Sequence, residues 1–478
     1  FSKVRLVLDG GAYTSTSEIV IANGSYFAAG AYRCPNVEID GYATYTNNPP
    51  CGAMRGFGAV QSCYAIESAM DRLARELGLH PLDLRMRNAI TAGDLLPTGQ
   101  LIDGPAPVRE LLMFLRDLPL PEEPADELCD LRSRPGGVGN VTHGEGIKRG
   151  IGYALGMKAI GFSGGVDDTS TAQVTLLIHD GEPIAEVYCA AAELGQGIVT
   201  LETQVVRTEL GVSKVVLADK DTLIGEAGAS SASRQSWMSC GAVLGACESV
   251  REDLLERAAV MVGEPAGLLR FDGIDICMAE DGRPLISAAE VLGEEPVSHT
   301  FTYHHRPTEA IDQERGQGDA HIAFAYAAHR AVVDVDVELG LVRVVELAVA
   351  QDVGRALNPI AVEGQIEGAS VQGLGLAVME EIQIDEGHVR NPSFTDYLIP
   401  TMLDVPPMPM KVFEFPHPDS PYGLNGVGEP SSLSSTPAIL NALRSATGLD
   451  LRRAPVRPTD FLSTDFLSTD FLSKEETA

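Results

Sequence analysis

Gly423-Leu-Asn-Gly-Val-Gly-Glu-Pro430 crowds three glycines, one carboxylate and a proline into eight positions. Glycines at that density let the backbone take positive φ and come close to a ligand. Pro430 fixes its own φ and steers Glu429 towards an extended conformation. A lone glutamate on a rigid loop with apolar neighbours is a candidate general base, because burial brings a carboxylate's proton affinity closer to neutral pH. By itself the string reads more readily as a surface turn with a solvated glutamate. Three further glycine-rich loops decide between the two.

The first is Asn47-Asn-Pro-Pro-Cys-Gly-Ala-Met-Arg-Gly-Phe-Gly58, with one cation, Arg55, beside Phe57. A helix follows, with Ile66, Ala69, Met70, Leu73 and Leu77 expected on its apolar face. Gly78 ends it and Pro81 opens the next. A glycine loop entering a helix suits an anion, since free N–H groups and the dipole point at it. The second loop, Glu193-Leu-Gly-Gln-Gly197, opens a helix carrying Ile198, Leu201 and Val205 on one face. Gln196 offers a ligand both an amide donor and an acceptor. The third, Gly228-Ala-Ser-Ser-Ala-Ser-Arg-Gln235, packs small hydroxyl residues before an apolar, helix-like run from Met238 to Val250.

The chain has 478 residues, of which 44 % are hydrophobic, enough for more than one domain with a sizeable core. Its formal net charge of −32 argues against nucleic acid or an anionic membrane as the main partner. It fits solubility, or docking of basic patches on partner subunits. Eight cysteines are scattered with no CxxC or Cys/His cluster, so neither a zinc nor an iron–sulfur site is readable. Their spacing does not resemble a disulfide framework, which makes a cytoplasmic location the expectation. No apolar run is long enough to span a membrane and no signal peptide is visible.

Strands are expected over 3–13 and 36–46, and a hairpin over 172–179 and 184–190 that turns at Asp180-Gly181. A second hairpin spans 331–350, where Val333, Val335 and Val337 alternate with Asp334, Asp336 and Glu338. Residues 363–373 form a helix of small residues suited to close packing on a cofactor or another helix. Thr436-Pro437 is expected to cap a last helix through Ile439, Leu440 and Leu443. The Pro/Gly/Glu-rich stretch 117–140 reads as the main linker. Three copies of Thr-Asp-Phe-Leu-Ser from Thr459 to Ser473 read as a disordered tail, 459–478, without a core role.

Taken together, Ala53-Met-Arg-Gly-Phe-Gly58, Glu193-Leu-Gly-Gln-Gly197, Ser231-Ala-Ser233, Gly364-Gln-Ile-Glu-Gly-Ala-Ser-Val-Gln-Gly-Leu-Gly375 and Gly426-Val-Gly-Glu-Pro430 are similar, in order and spacing, to the molybdenum-binding large subunit of the xanthine dehydrogenase/aldehyde oxidase family. The resemblance implies an α+β (mixed α/β) fold of two successive molybdopterin-binding domains. They would be an incomplete first domain over 1–116 and a second over 141–458. It also implies a molybdenum–pyranopterin cofactor, molybdopterin or its cytosine dinucleotide form. Glu429 falls at the family's catalytic base. Arg55 and Ala232 fall beside the metal, outside its direct ligands. Gln196, Ser231, Ser233 and Gln365 fall along the pterin. Phe57, Phe162 and Ser163 match substrate-contacting positions. The arginine that clamps purines in xanthine-specific members falls at Asn23, which offers no charged fork. Asn425 stands where relatives of this subtype often carry lysine.

The family's FAD and 2Fe-2S modules are expected on partner subunits, in a dimer of heteromers. Its first portion, with the glycine–phenylalanine loop over the metal, would lie upstream of Phe1; the expectation is either that another polypeptide supplies it or that the chain is a truncated product that binds cofactor poorly. The resulting expectation is a hydroxylase of an N-heteroaromatic, purine-like substrate. The alternatives are an aldehyde oxidoreductase using the same centre, and a non-catalytic scaffold.

Overall fold

Four residues of one strand, Gly150, Gly152, Ala154 and Gly156, share a face by the two-residue period of extended chain and carry almost no side chain there. A helix lies directly on that face. A Cβ added at Gly152 would sit 2.1 Å from the backbone nitrogen of Ala442 and 2.3 Å from the carbonyl oxygen of Ala438. The computed structural model that shows this describes residues 1–122, 147–162, 164–219, 223–312, 314–337 and 339–461.

The chain begins with β1 (Ser2–Gly11), α1 (Ser17–Tyr26) and β2 (Val37–Tyr45); β1 and β2 pair in parallel. Helices α2 (Ala59–Glu76), α3 (Pro81–Asn88) and α4 (Val108–Asp117) follow. Beyond them come β3 (Ile147–Ile160), β4 (Thr169–His179), β5 (Glu182–Cys189), α5 (Ile198–Leu210), β6 (Lys214–Leu217) and the long α6 (Gln235–Val262). A small antiparallel sheet, β7 (Leu269–Phe271), β8 (Asp275–Met278) and β9 (Pro284–Ser287), precedes α7 (Ala288–Leu292) and β10 (Val297–His304). The remainder is β11 (Ala323–Asp336), β12 (Leu341–Asp352), α8 (Pro359–Val378), the short pair β13 (Ile384–Asp385) and β14 (His388–Val389), β15 (Met410–Phe413) and α9 (Pro430–Thr447).

Two four-stranded sheets organise these elements, in the orders β15-β12-β11-β3 and β10-β4-β5-β6. Helix α9 packs on β3 and β11 of the first, and α6 packs on β4 and β10 of the second. Helix α2 and α4 also lie against the first sheet. The expected mixed α/β class therefore holds, and so do both hairpins. Asp180 and Gly181 take φ of 52° and 84°, as the tight turn between β4 and β5 requires.

Several local expectations are corrected. Helix α2 does not bury Ala69, Leu73 and Leu77; it buries Cys63, Glu67, Met70, Asp71 and Ala74. The cause is the buried Arg85. Its Nε donates to Glu67 Oε2 at 2.8 Å and its Nη1 to Asp71 Oδ1 at 3.3 Å, so the acidic side of α2 turns inward. Glu67 also accepts the Leu155 N–H at 3.0 Å, which ties α2 to β3.

In β11 the aspartates are buried like the valines, because β11 lies between β12 and β3 with helices over it; Asp334 pairs with Arg149 at 2.8 Å. Glu338 lies outside the described residues. Helix α9 begins at Pro430, not Pro437, so Pro437 is interior. An interior proline costs roughly 3 kcal/mol in an isolated helix. Here the whole stretch from Pro430 to Arg444 is buried, and Thr436 Oγ1 donates to Gly373 O of α8 at 2.8 Å.

The small-residue helix packs on α9 through Gly373, where an added Cβ would meet Ser435 Oγ at 1.7 Å. Phe461, from the first copy of the terminal repeat, is buried against Leu443 and Val456, so that copy does contribute to a core. The later copies, and 123–140 of the expected linker, lie outside the described residues.

Two stability outcomes follow. Gly152→Ala should lower the free energy of unfolding by about 3 kcal/mol, because the methyl group meets helix backbone that cannot yield. Gly364→Ala in α8, where an added Cβ meets nothing within 4 Å, should be neutral or stabilise by up to about 1 kcal/mol. Urea denaturation of the two variants measures both.

His329 of β11 is buried between Ser434 Oγ at 2.8 Å and Ser370 Oγ at 2.9 Å, and burial pushes its pKa down to about 3. The unfolded chain takes up that proton below about pH 6.5 and the folded chain does not, so stability falls as pH drops through this window. Wild type should lose about 2 kcal/mol more than His329→Gln between pH 7 and pH 5. Equal slopes of unfolding free energy against pH would contradict this.

Candidate functional site

Glu429 stands at the N-cap of α9, 8 % exposed. Its φ and ψ are −100° and −34°, helical rather than extended as expected before Pro430. The reason is that groups from other elements hold it from both ends. Its backbone N–H donates to Ser233 Oγ at 3.0 Å, and the same hydroxyl donates to Glu429 Oε2 at 3.2 Å. The Gly56 N–H donates to Oε1 at 3.1 Å. Lys158 Nζ lies 3.7 Å from Oε2. The anion gripped by the loop ahead of α2 is thus a carboxylate of this chain.

Arg55 closes the other side. Its Nε donates to the Gly428 carbonyl, and its Nη2 donates to the carbonyl and the side-chain oxygen of Gln365 at 3.1 and 3.2 Å. Burial lowers the guanidinium's pKa from its ordinary value, and the Glu429 charge opposes that.

The two loops that grip Glu429 hold backbone that L-residues rarely adopt. Phe57 has φ of 47° between Gly56 and Gly58, and Ala232 and Ser233 have φ of 52° and 48°. Such conformations cost of order 1 kcal/mol or more each and persist where surrounding contacts over-determine them. For Phe57 the contacts are visible. Asn23 Nδ2 of α1 donates to the Phe57 carbonyl at 2.5 Å, and a Cβ on Gly58 would meet Val20 O at 2.1 Å. Asn425 is buried, with Nδ2 donating to Phe324 O at 3.0 Å.

Arg55, Ser233, Gln365 and Glu429 therefore meet, with Phe57 and Ala232 next to them in the chain. The other expected residues lie one loop away. Phe162 packs under Arg234, whose guanidinium carbon is 4.9 Å from the ring centroid. Its N–H donates to Asp168 Oδ2 at 3.1 Å, and the Gly161 N–H beside it donates to Ala232 O at 3.1 Å. Ser231 is exposed at the start of the turn. Gln196 closes its own loop: Oε1 accepts from Leu194 N at 2.5 Å and Nε2 donates to Ala192 O at 2.7 Å. Ala192 O also accepts from Ser230 Oγ at 3.1 Å, so the two loops lie side by side. Ser163 lies outside the described residues.

Three contributors escaped the sequence reading. Lys158 was legible as the next residue on the glycine face of β3. The Gly56 N–H carries no sequence signal. The Arg234–Asp168 pair joins residues far apart in sequence that are both buried; Arg234 Nε donates to Asp168 Oδ2 at 2.8 Å, and the guanidinium also donates to Ala227 O and Thr169 O.

Among the described residues no group of three or more His, Cys, Asp or Glu side chains could hold a bare metal ion. The donors here are a guanidinium, amides, hydroxyls and backbone N–H groups, which suit an oxygen-rich organic anion. There is also space. An added Cβ at Gly195, Gly197, Gly364 or Gly368 meets nothing within 4 Å. The backbone beside Gln196 and beside Gln365 is thus uncovered, which leaves room for a large group against either.

A two-sheet α/β scaffold with this donor set defines a protein that binds a large organic cofactor. Residues 2–89 and 125–406 match two molybdopterin cofactor-binding domain profiles, and the chain belongs to the molybdopterin cofactor-binding family of molybdenum hydroxylase large subunits. It is 31 % identical over 458 residues to the xanthine dehydrogenase molybdenum-binding subunit of Escherichia coli O157:H7, covering 94 % of this chain and 58 % of that relative. The solved aldehyde oxidoreductase from Desulfovibrio gigas superposes with a TM-score of 0.77 at 27 % identity, over 96 % of this chain and 47 % of that one. Quinoline 2-oxidoreductase from Pseudomonas putida 86 gives a TM-score of 0.77 at 25 % identity, over 95 % and 58 %. The chain thus spans about half the length of the proteins it matches.

Arg234→Met should remove the partner of a buried aspartate and destabilise the fold by about 3–5 kcal/mol. Double replacement with Asp168→Leu should recover a large part of that loss. Guanidinium denaturation of the single and double variants checks both.

Proposed function

We propose that this chain is the molybdenum-cofactor-binding catalytic part of a hydroxylase or dehydrogenase. Its substrate would be an N-heteroaromatic, purine-like ring of the xanthine or hypoxanthine type, with water as the oxygen source. The observation that carries the reading is the convergence of Arg55, Ser233, the Gly56 N–H and Lys158 around one buried carboxylate, Glu429. When bound, the molybdenum–pyranopterin group supplies the two-electron redox chemistry.

The chain's own residues supply the rest. Arg55 and Gln365 would meet the cofactor on one side, and Gln196, Ser231 and Ser233 on the other, with Ala232 against the metal's surroundings. Glu429 accepts the proton released as water-derived oxygen attacks the ring carbon. Its hydrogen bonds to Gly56 and Ser233 fix both oxygens, so little reorganisation is needed when the proton arrives. Phe57 and Phe162 would hold a flat ring between them, with Ser163 beside Phe162. Asn23 spends its amide on the Phe57 carbonyl, steadying the aromatic instead of forking onto a substrate oxygen. A heterocycle with few carbonyl oxygens on its ring fits this better than xanthine itself.

The likeness to quinoline 2-oxidoreductase supports the heteroaromatic reading, and the likeness to the D. gigas enzyme keeps aldehyde oxidation as a second one. Companion iron–sulfur and FAD subunits would carry the electrons away, in a cytoplasmic dimer of heteromers. That the E. coli relative is named a subunit supports companions. No helix among the described residues is long and apolar enough to cross a membrane.

Glu429→Gln should retain molybdenum and pterin at wild-type stoichiometry while losing at least about 100-fold in kcat. Near-normal turnover would remove the base assignment. Turnover of aldehydes but of no heterocycle would select the second reading. Purified protein without metal or pterin would favour a scaffold role.

A further inference from the structure

Lys158 is the next residue on the face of β3 that carries Gly150, Gly152, Ala154 and Gly156. Those four let α9 lie on the strand. A Cβ on Gly156 would already stand 3.3 Å from the Pro430 carbonyl, in the first turn of the helix. The next residue on that side passes the end of the helix and meets its N-cap, Glu429. The Lys158 ammonium is there, 3.7 Å from Glu429 Oε2, with the lysine side chain 4 % and the glutamate side chain 10 % exposed. It also donates to Ala159 O at 3.2 Å and lies 5.9 Å from the Phe27 ring centroid.

A buried ammonium is costly without a compensating anion. The charged groups facing Glu429 are Lys158 from β3 and Arg55 from the loop ahead of α2. The guanidinium of Arg55 is engaged by Gly428 O and Gln365. Ser233 and Gly56 contribute neutral donors. Beyond Lys158 lies His321, which burial and the cations of Lys158 and Arg306 push down to about 3, so it adds no charge at neutral pH.

We propose that Lys158 is a positioning residue for Glu429, a buried counter-cation that keeps the carboxylate ionised with Oε2 turned towards Ser233. This rests on the reading of Glu429 as the base. In the transfer, Glu429 gains one proton and becomes neutral while Lys158 stays an ammonium, so the pair passes from zero net charge to +1.

The test uses the full chain with Lys158→Met, Lys158→Gln and Lys158→Arg, read in two ways. Carboxylate infrared difference spectra, with Glu429→Gln to assign the band, follow protonation of Glu429 without requiring turnover. The rate–pH profile of the cofactor-loaded enzyme follows its consequence. In the Met and Gln variants the protonation midpoint should rise by about one pH unit or more, as expected on losing a cation at this range. The acidic limb of the rate profile should move with it, lowering the rate about tenfold at pH values below the new midpoint while high-pH rates recover. Lys158→Arg should restore both. An unchanged midpoint in folded Lys158→Gln overturns the proposal. A midpoint that moves while the rate profile stays fixed upholds the Lys158–Glu429 coupling and removes Glu429 as the base.

Discussion

Helix α9 rests on strand β3 with no side-chain layer between them, and much of the site depends on that contact. Gly150 and Gly152 face the helix backbone so closely that a methyl group would overlap it. Close approach fixes the height and direction of α9 far more tightly than a layer of flexible side chains would. It also places the N-terminus of α9, and with it Glu429, at the end of the strand where Lys158 emerges. On its other flank α8 packs against it through Gly373, so α9 is held on two sides. The interior proline of α9 is tolerated within this fully buried setting.

The loops around Glu429 are costly structures supported from behind. Phe57, Ala232 and Ser233 occupy the left-handed region without being glycine. What holds Phe57 is α1, through Asn23 and the packing of Gly58 against Val20. What holds the Ala232–Ser233 turn is the buried Arg234–Asp168 pair and the hydrogen bond from Gly161. Each support is itself desolvated, so each is stable only as a complete set. Preorganisation of this kind suits a site that must meet a large cofactor without rearranging.

The sequence and the structure part company where charge overrides pattern. Leu73 and Leu77 fall on a good helical stripe yet face outward, since Glu67 and Asp71 follow Arg85 into the interior. Asp334 and Asp336 alternate with valines as if solvated yet are buried: Arg149 of β3 meets Asp334, and Asp336 accepts the Leu339 N–H in the turn that follows. Periodicity counts apolar residues and cannot see a cation supplied from a distant segment. For the same reason Lys158 and the Arg234–Asp168 pair were missed, although their residue types are plain in the chain.

Glycine, proline and short motif order were enough to read the hairpins, the loops that enter α2 and α5, the mixed α/β class and the identity of the central glutamate. Those features are local: a turn needs positive φ, and a helix start needs free N–H groups, whatever surrounds them. The helical start of α9 at Pro430, the rotation of α2, the burial of Phe461 and the meeting of Arg55 with Gln365 across hundreds of residues were decided only on folding. They depend on which desolvated charges find partners and which backbones can touch, and both are properties of the packed chain rather than of any stretch within it.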